Sequence, residues 1–157
     1  MLRALDRRFL RTAIGGVALL GACVAYAGNT RSEPTEDTMR IRITVEDTEL
    51  VARLEDTPAA RDFAAMLPLE LTLEDFHATE KIADLPSRLS TEGAPKGVDP
   101  DVGDVTYYAP WGNLALFYRD FGYANGLVRL GRIEGDVSAL EARGALRTRI
   151  ELIDPPQ

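Results

Sequence analysis

The chain has a single cysteine, Cys23, and a single histidine, His77. No intrachain disulfide can form, and neither a cysteine cage nor a multi-histidine centre can hold a metal. Basic charge is scarce as well: 18 Lys and Arg stand against 25 Asp and Glu, a formal net charge of −7. An acidic surface repels phosphate, so nucleic acid is not an expected partner. No Ser-His-Asp arrangement, phosphate-binding glycine loop or dinucleotide fingerprint occurs, and no cofactor is expected. What the chain does have is a globular composition, 45% apolar and 27% charged over 157 residues. That suffices for one packed domain with a short appendage.

The appendage reads as an address. Arg3, Arg7, Arg8 and Arg11 precede a small apolar stretch from Ala13 to Ala22. A basic start followed by a short apolar segment is the pattern of a secretory signal peptide, here within residues 1–27. The stretch is too short to anchor by itself in a bilayer, which takes about 20 residues. Two cleavage patterns compete. Leu20-Gly21-Ala22-Cys23 resembles the bacterial lipobox, with Cys23 lipidated. Ala25-Tyr26-Ala27 is an ordinary A-x-A site. The position of the sole cysteine favours the first; in the second, Cys23 is merely a small residue in a discarded peptide. Arg7-Arg8-Phe9-Leu10 resembles a twin-arginine signal without its usual spacer residue. In either case the expected location is the periplasmic side of the envelope, with contact to the membrane only through a lipid. Residues 28–38, GNTRSEPTEDT, are polar and aperiodic, as a flexible tether is.

Residues 39–154 carry the domain. Ile41, Ile43 and Val45 alternate with polar residues, as do Leu50, Ala52 and Leu54 beyond a turn at Glu46-Asp47, which predicts a hairpin. Thr57 caps a helix that begins with Pro58 and carries Ala60, Phe63, Ala64 and Leu67 on one stripe, until Pro68 stops it. Strands are predicted at Leu69–Leu73, Lys81–Leu85, Val105–Ala109, Leu114–Tyr118, Leu127–Ile133 and Leu146–Leu152. A loop spans Ser87–Gly103. Asp136 caps a second, short helix through Leu140, with Gly144 beyond its end. This order predicts a mainly β fold: a closed antiparallel barrel capped by two helices.

Leu130-Gly131-Arg132-Ile133-Glu134-Gly135 resembles the F-G-K-V-x-x-G strand and turn of cyclophilins. The stretch from Gly103 to Tyr118, with Asp56–Arg61 and Glu80-Lys81-Ile82, is similar to a bacterial group of cyclophilin-like domains that share the barrel and have no settled activity. The resemblance implies a cyclophilin-like barrel over nearly all of residues 39–153. Active prolyl isomerases of that fold carry F-H-R and Q-G-G-D-F. Here Ala78 follows Phe76-His77, so the arginine that polarises the prolyl amide is missing, and no Q-G-G-D-F occurs. Without a donor at the twisting amide little transition-state stabilisation remains, unless Arg129 or Lys81 takes that role. A degenerate isomerase is therefore the alternative to a binding module.

Candidate binding residues cluster at one turn. Tyr107, Tyr108, Trp111 and Asn113 surround it, and Asn113, Ala115 and Phe117 share one face of the next strand, with Leu114, Leu116 and Tyr118 on the other. Polar-tipped aromatics at a barrel mouth suit a cleft for a small molecule or an extended peptide. The competing reading folds Trp111 back as a plug and leaves the tyrosines as ordinary strand residues. A third possibility is a scaffold for another envelope protein. Glu74, Asp75, Glu80 and Asp84 read as a solvated acidic edge, since their spacing fits no calcium loop. His77 among them reads as a surface residue. Asp99, Asp101 and Asp104 read as turn formers.

Overall fold

The computed structural model describes residues 39–153. Both cleavage sites, Cys23 and the tether lie outside the described residues. Alternation sets the first hairpin: β1 (Arg40–Val45) and β2 (Thr48–Leu54) bury Ile41, Ile43, Val45, Leu50, Ala52 and Leu54 on one side. Glu46 makes the turn with a left-handed φ of 49°. Its carboxylate accepts from the Arg147 amide at 2.7 Å, which ties the turn to the last strand. Helix α1 (Pro58–Ala65) starts where Thr57 Oγ1 accepts from the Ala60 amide at 3.2 Å, and it buries Ala59, Ala60, Phe63 and Ala64. Leu67 lies past its end and is half-buried.

The remaining strands are β3 (Leu69–Phe76), β4 (Glu80–Asp84), β5 (Gly97–Val98), β6 (Asp104–Tyr108), β7 (Asn113–Phe117), β8 (Ala124–Asn125), β9 (Leu127–Glu134) and β10 (Leu146–Leu152). Eight of the ten strands close an antiparallel barrel in the order β1-β10-β3-β4-β7-β6-β9-β2, with β2 returning to β1. Closure leaves no free edge. The interior is filled by inward residues of every strand, among them Ile43, Leu73, Tyr107, Leu114, Leu116, Leu130 and Ile150, together with Phe63 from the helix.

Two features depart from the sequence reading. The second cap is not an α-helix but a single 3-10 turn at Ser138–Glu141, so the barrel carries one α-helix, not two. The turn's N-cap is Val137, without a side-chain capping bond, and not the expected Asp136, which lies one residue earlier and accepts from the Ser138 amide at 3.0 Å and hydroxyl at 2.6 Å; only Leu140 of that turn is buried. A stretch so short buries too little for a full α-turn to gain over the tighter one. The expected loop between Ser87 and Gly103 also contains β5, which pairs with β8 in a two-stranded ribbon apart from the barrel. This ribbon gives the barrel a second apolar layer: Val98 and Ala124 pack on Ala115, Phe117 and Leu127, which face away from the barrel interior.

The predicted acidic edge is only partly solvated. Glu74 and Asp84 are exposed, whereas Glu80 is buried. Asp75 faces the barrel's end, where it accepts from Lys81 Nζ at 2.8 Å and from the Tyr118 hydroxyl at 2.7 Å. Lys81 is fully buried and also donates to the Ala142 carbonyl at 2.6 Å, so its charge is neutralised and its donors are used. Those two hydrogen bonds hold the Asp75 carboxyl below the usual carboxylate range. Burial and the neighbouring carboxylate push the Tyr118 hydroxyl up to about 12.

Candidate functional site

Register places the candidate site on the outer wall of the barrel. Side chains two residues apart share a face, so paired strands stack their outward residues in rows. Phe76 lies opposite Glu80, and Glu80 opposite Phe117. Ile82 lies opposite Ala115, and Ala115 opposite Thr106. Asn113 lies opposite Tyr108, and Tyr108 opposite Leu127. All of these residues but the fully buried Thr106 line a groove of about 450 Å³, walled by Pro110, Trp111 and Phe121 and by Ala124 and Asn125 of the ribbon. That volume is within the range of small-molecule sites.

The wall at Trp111 is built by the turn between β6 and β7. The Tyr108 carbonyl accepts from the Trp111 amide at 3.2 Å and the Gly112 amide at 2.8 Å, and Gly112 takes the left-handed φ of 80° that closes the turn. Trp111 is thereby carried outward and remains 58% exposed. Its ring meets the Phe76 and Tyr108 rings edge-on, at centroid distances of 5.5 and 5.4 Å. Edge-to-face contacts fix its orientation without burying it. Phe121, 54% exposed, leans on Phe117 at 6.1 Å.

Two polar groups sit among these rings. Asn113 is 3% exposed, and its Nδ2 donates to the Leu114 carbonyl at 3.3 Å. The opposite amide orientation would face oxygen to oxygen, so Oδ1 is the free end, and it is buried without a hydrogen-bond partner. Glu80 is 8% exposed and accepts from the Thr79 hydroxyl at 2.6 Å. Burial raises its pKa above the ordinary glutamate value, against the opposing effects of Thr79 and His77.

Of the residues singled out from the sequence, Tyr108, Trp111, Asn113 and Phe117 line this groove. Tyr107 does not. Its ring is 1% exposed within the barrel, where its hydroxyl accepts from the Leu89 amide at 3.3 Å. Adjacent strand residues point to opposite faces, so Tyr107 and Tyr108 cannot serve the same surface. Leu114, Leu116 and Tyr118 share the other face, as expected, and that face is the inward one. Arg129 and Lys81, the cations considered as substitute donors, are engaged elsewhere: Arg129 Nε donates to Asp104 at 2.7 Å, and Lys81 is held by Asp75. His77 and Ala78 form the exposed β3–β4 turn with φ of 50° and 54°.

The model of the cyclophilin-like family matches residues 43–152. The chain belongs to that family. No curated protein matches it. Among solved structures, a hypothetical protein from Archaeoglobus fulgidus, determined in solution, is similar over 73% of this chain and 94% of its own. The identity is 23% and the TM-score 0.54, a likeness of fold.

Glu80, Phe76 and Phe121 are among the lining residues that the sequence reading does not assign to a site. The sequence reading places Glu80 on the acidic edge because it starts the strand at Lys81, whereas β4 begins at Glu80. Its place two residues before Ile82 is the signal that puts it on the groove face. The sequence reading gives Phe76 no role because no arginine follows His77, although its ring packs on Trp111. Phe121 lies in a loop with no periodicity to mark it. Asp99, Asp101 and Asp104 need no metal. Asp104 is fully buried and accepts from Arg129 and from Arg132 Nε at 2.8 Å, while Asp101 pairs with Arg132.

Proposed function

We propose that this cyclophilin-like domain is a binding module that holds a small organic molecule in the groove beside Trp111. The observation that carries the reading is Trp111 itself. A large apolar ring stands 58% exposed over a floor of buried apolar residues, held by the edges of Phe76 and Tyr108. Exposed rings rimming an enclosed floor mark a surface made to be covered. Trp111 is the only tryptophan, so its emission reports the groove directly. Titration of a fragment library should shift or quench that emission for some members, and Trp111→Phe should abolish the signal while Tyr108→Ala weakens the binding. A library that leaves the emission unchanged, with saturable binding mapped by NMR to another surface, would refute the reading.

Ala78 supports a binder over a prolyl isomerase, since the resemblance puts the amide-polarising arginine there. A protease-coupled isomerisation assay should show the uncatalysed rate. We also propose that the domain is exported and lipid-anchored, on the basic start, the short apolar stretch and the lone cysteine at the lipobox position. Intact-mass spectrometry of protein from its host should find Cys23 acylated at the N-terminus. A chain beginning at Gly28 without lipid mass would leave export by ordinary cleavage.

A further inference from the structure

We propose that the groove selects a small amine: an ammonium at its Glu80 end, an apolar body over Ile82 and Ala115, and a neutral hydrogen-bond donor at its Asn113 end. This deepens the binding reading above and rests on it. The two buried polar groups among the groove's lining residues are both acceptors, a carboxyl and the unpartnered Asn113 Oδ1. A buried acceptor without a partner costs stability, and a ligand donor recovers that cost. The complement of this groove is therefore a molecule with donors at both ends, not acceptors.

The lining decides which end carries the cation, because Glu80 is the one carboxyl among the groove's lining residues. Glu80 makes no salt bridge among the described residues, and its one hydrogen-bond donor is the Thr79 hydroxyl. Glu74 and Asp84 lie on the same outward face as Ile82 without a salt-bridge partner among those residues, while Arg88 donates to the Ala109 carbonyl at 2.6 Å at the turn that carries Trp111, so positive charge stands at that turn and negative charge along β4. The exposed His77 on the adjoining turn is the nearby titratable base. Burial opposes ionisation of Glu80, and a cation brought against it reverses that opposition. Spacing then separates the ends. Glu80 pairs with Phe117 and Asp84 with Asn113, four residues along the strand, which is about 13 Å at 3.3 Å per residue. One ammonium cannot satisfy both acceptors, so the second donor belongs to the far end of the same molecule. The groove's volume of about 450 Å³ admits a body of one aromatic ring with its substituents.

Calorimetric titration of the full chain with four related probes tests this. Tyramine has the amine, the ring and the distal hydroxyl. Phenethylamine lacks the hydroxyl, para-ethylphenol lacks the amine, and para-hydroxyphenylacetate reverses the charge. Tyramine should bind at least about tenfold more tightly than para-ethylphenol, as expected for a hydrogen bond to a charged group. Phenethylamine should fall between them. Glu80→Gln should erase the preference for the amine and leave para-ethylphenol unchanged. Asn113→Ala, checked for folding by circular dichroism, should make tyramine and phenethylamine equal. Equal binding of tyramine and para-hydroxyphenylacetate would overturn the amine while leaving a binding groove. Preference for a blocked Ala-Lys-Ala peptide over tyramine would overturn the small-molecule occupant. Absence of heat and of any Trp111 emission change with all four probes would count against the groove itself.

Discussion

Truncating Trp111 and Tyr107 to alanine, one at a time, separates a groove wall from a barrel plug. Trp111 is 58% exposed, so about two-fifths of its surface is covered. An indole side chain buries at most about 250 Å², which leaves about 100 Å² at stake, or about 2.5 kcal/mol at 25 cal/mol per Å². The real loss is smaller, because alanine keeps part of that contact and the unfolded chain is itself partly compact. Trp111→Ala should therefore cost about 1–2 kcal/mol. Tyr107 is 1% exposed inside the barrel. Its truncation leaves a cavity that the closed wall cannot collapse around, worth about 3–5 kcal/mol. It also strips the Leu89 amide of its acceptor. Urea unfolding followed by circular dichroism measures both, since one variant has no tryptophan to follow. Parent emission should be red-shifted and open to a soluble quencher. A Trp111→Ala loss equal to that of Tyr107→Ala, with a blue-shifted and protected parent, would show that Trp111 belongs to the core. The binding reading at this turn would then be withdrawn.

Glu80→Gln should stabilise the domain near neutrality. The folded state raises the pKa of Glu80 through burial, so its contribution is fully present below the unfolded pKa and is lost as pH rises through the folded one. The advantage of the variant should thus vanish in acid, and a constant difference across pH would refute the assignment. Gly131→Ala should abolish folding or cost more than about 3 kcal/mol, because the added Cβ would stand 2.2 Å from the Arg53 carbonyl oxygen; a stable variant would mean that β2 and β9 are not so closely apposed. Phe63→Ala should lose about 3–5 kcal/mol, since its ring is fully buried in the barrel core, and a loss well under 1 kcal/mol would place α1 away from it.

Legibility followed the number of faces each strand buries. β1, β2 and β10 bury one face, so period-two alternation located them. β6 and β7 are covered on both sides, by the barrel interior and by the ribbon, and β7 is buried at every position. Alternation of polarity is lost there, and their bounds slipped by one residue. The ribbon has no local signal, because two residues have no period and β6 and β7 lie between β5 and β8 in the chain. For the same reason composition points to the turn aromatics but does not separate Tyr107 from them. Two adjacent tyrosines look equivalent in composition, and only pairing tells that Tyr108 meets Asn113 while Tyr107 meets Leu114.

One side chain of the groove floor defeats alternation altogether, and its position explains why two other residues must be where they are. Ile133 faces the barrel interior, and counting back by twos would turn Leu127 inward as well. Leu127 instead faces the groove, packed with Ala115 and Phe117. The difference is a bulge: Val105 pairs with Gly131 and Thr106 with Arg129, so Leu130 has no partner. Leu130 and Gly131 are consecutive on the inward side, and the second has no room for a side chain because β2 lies against it. The bulge also brings Arg129 and Arg132, three apart, to one face, where both donate to the buried Asp104. An ion pair of this kind adds less to stability than to register, because any slip would leave the carboxylate buried and uncompensated. Gly131 permits the extra residue, Asp104 locks it, and the face that results is the one on which Leu127 and Tyr108 complete the groove.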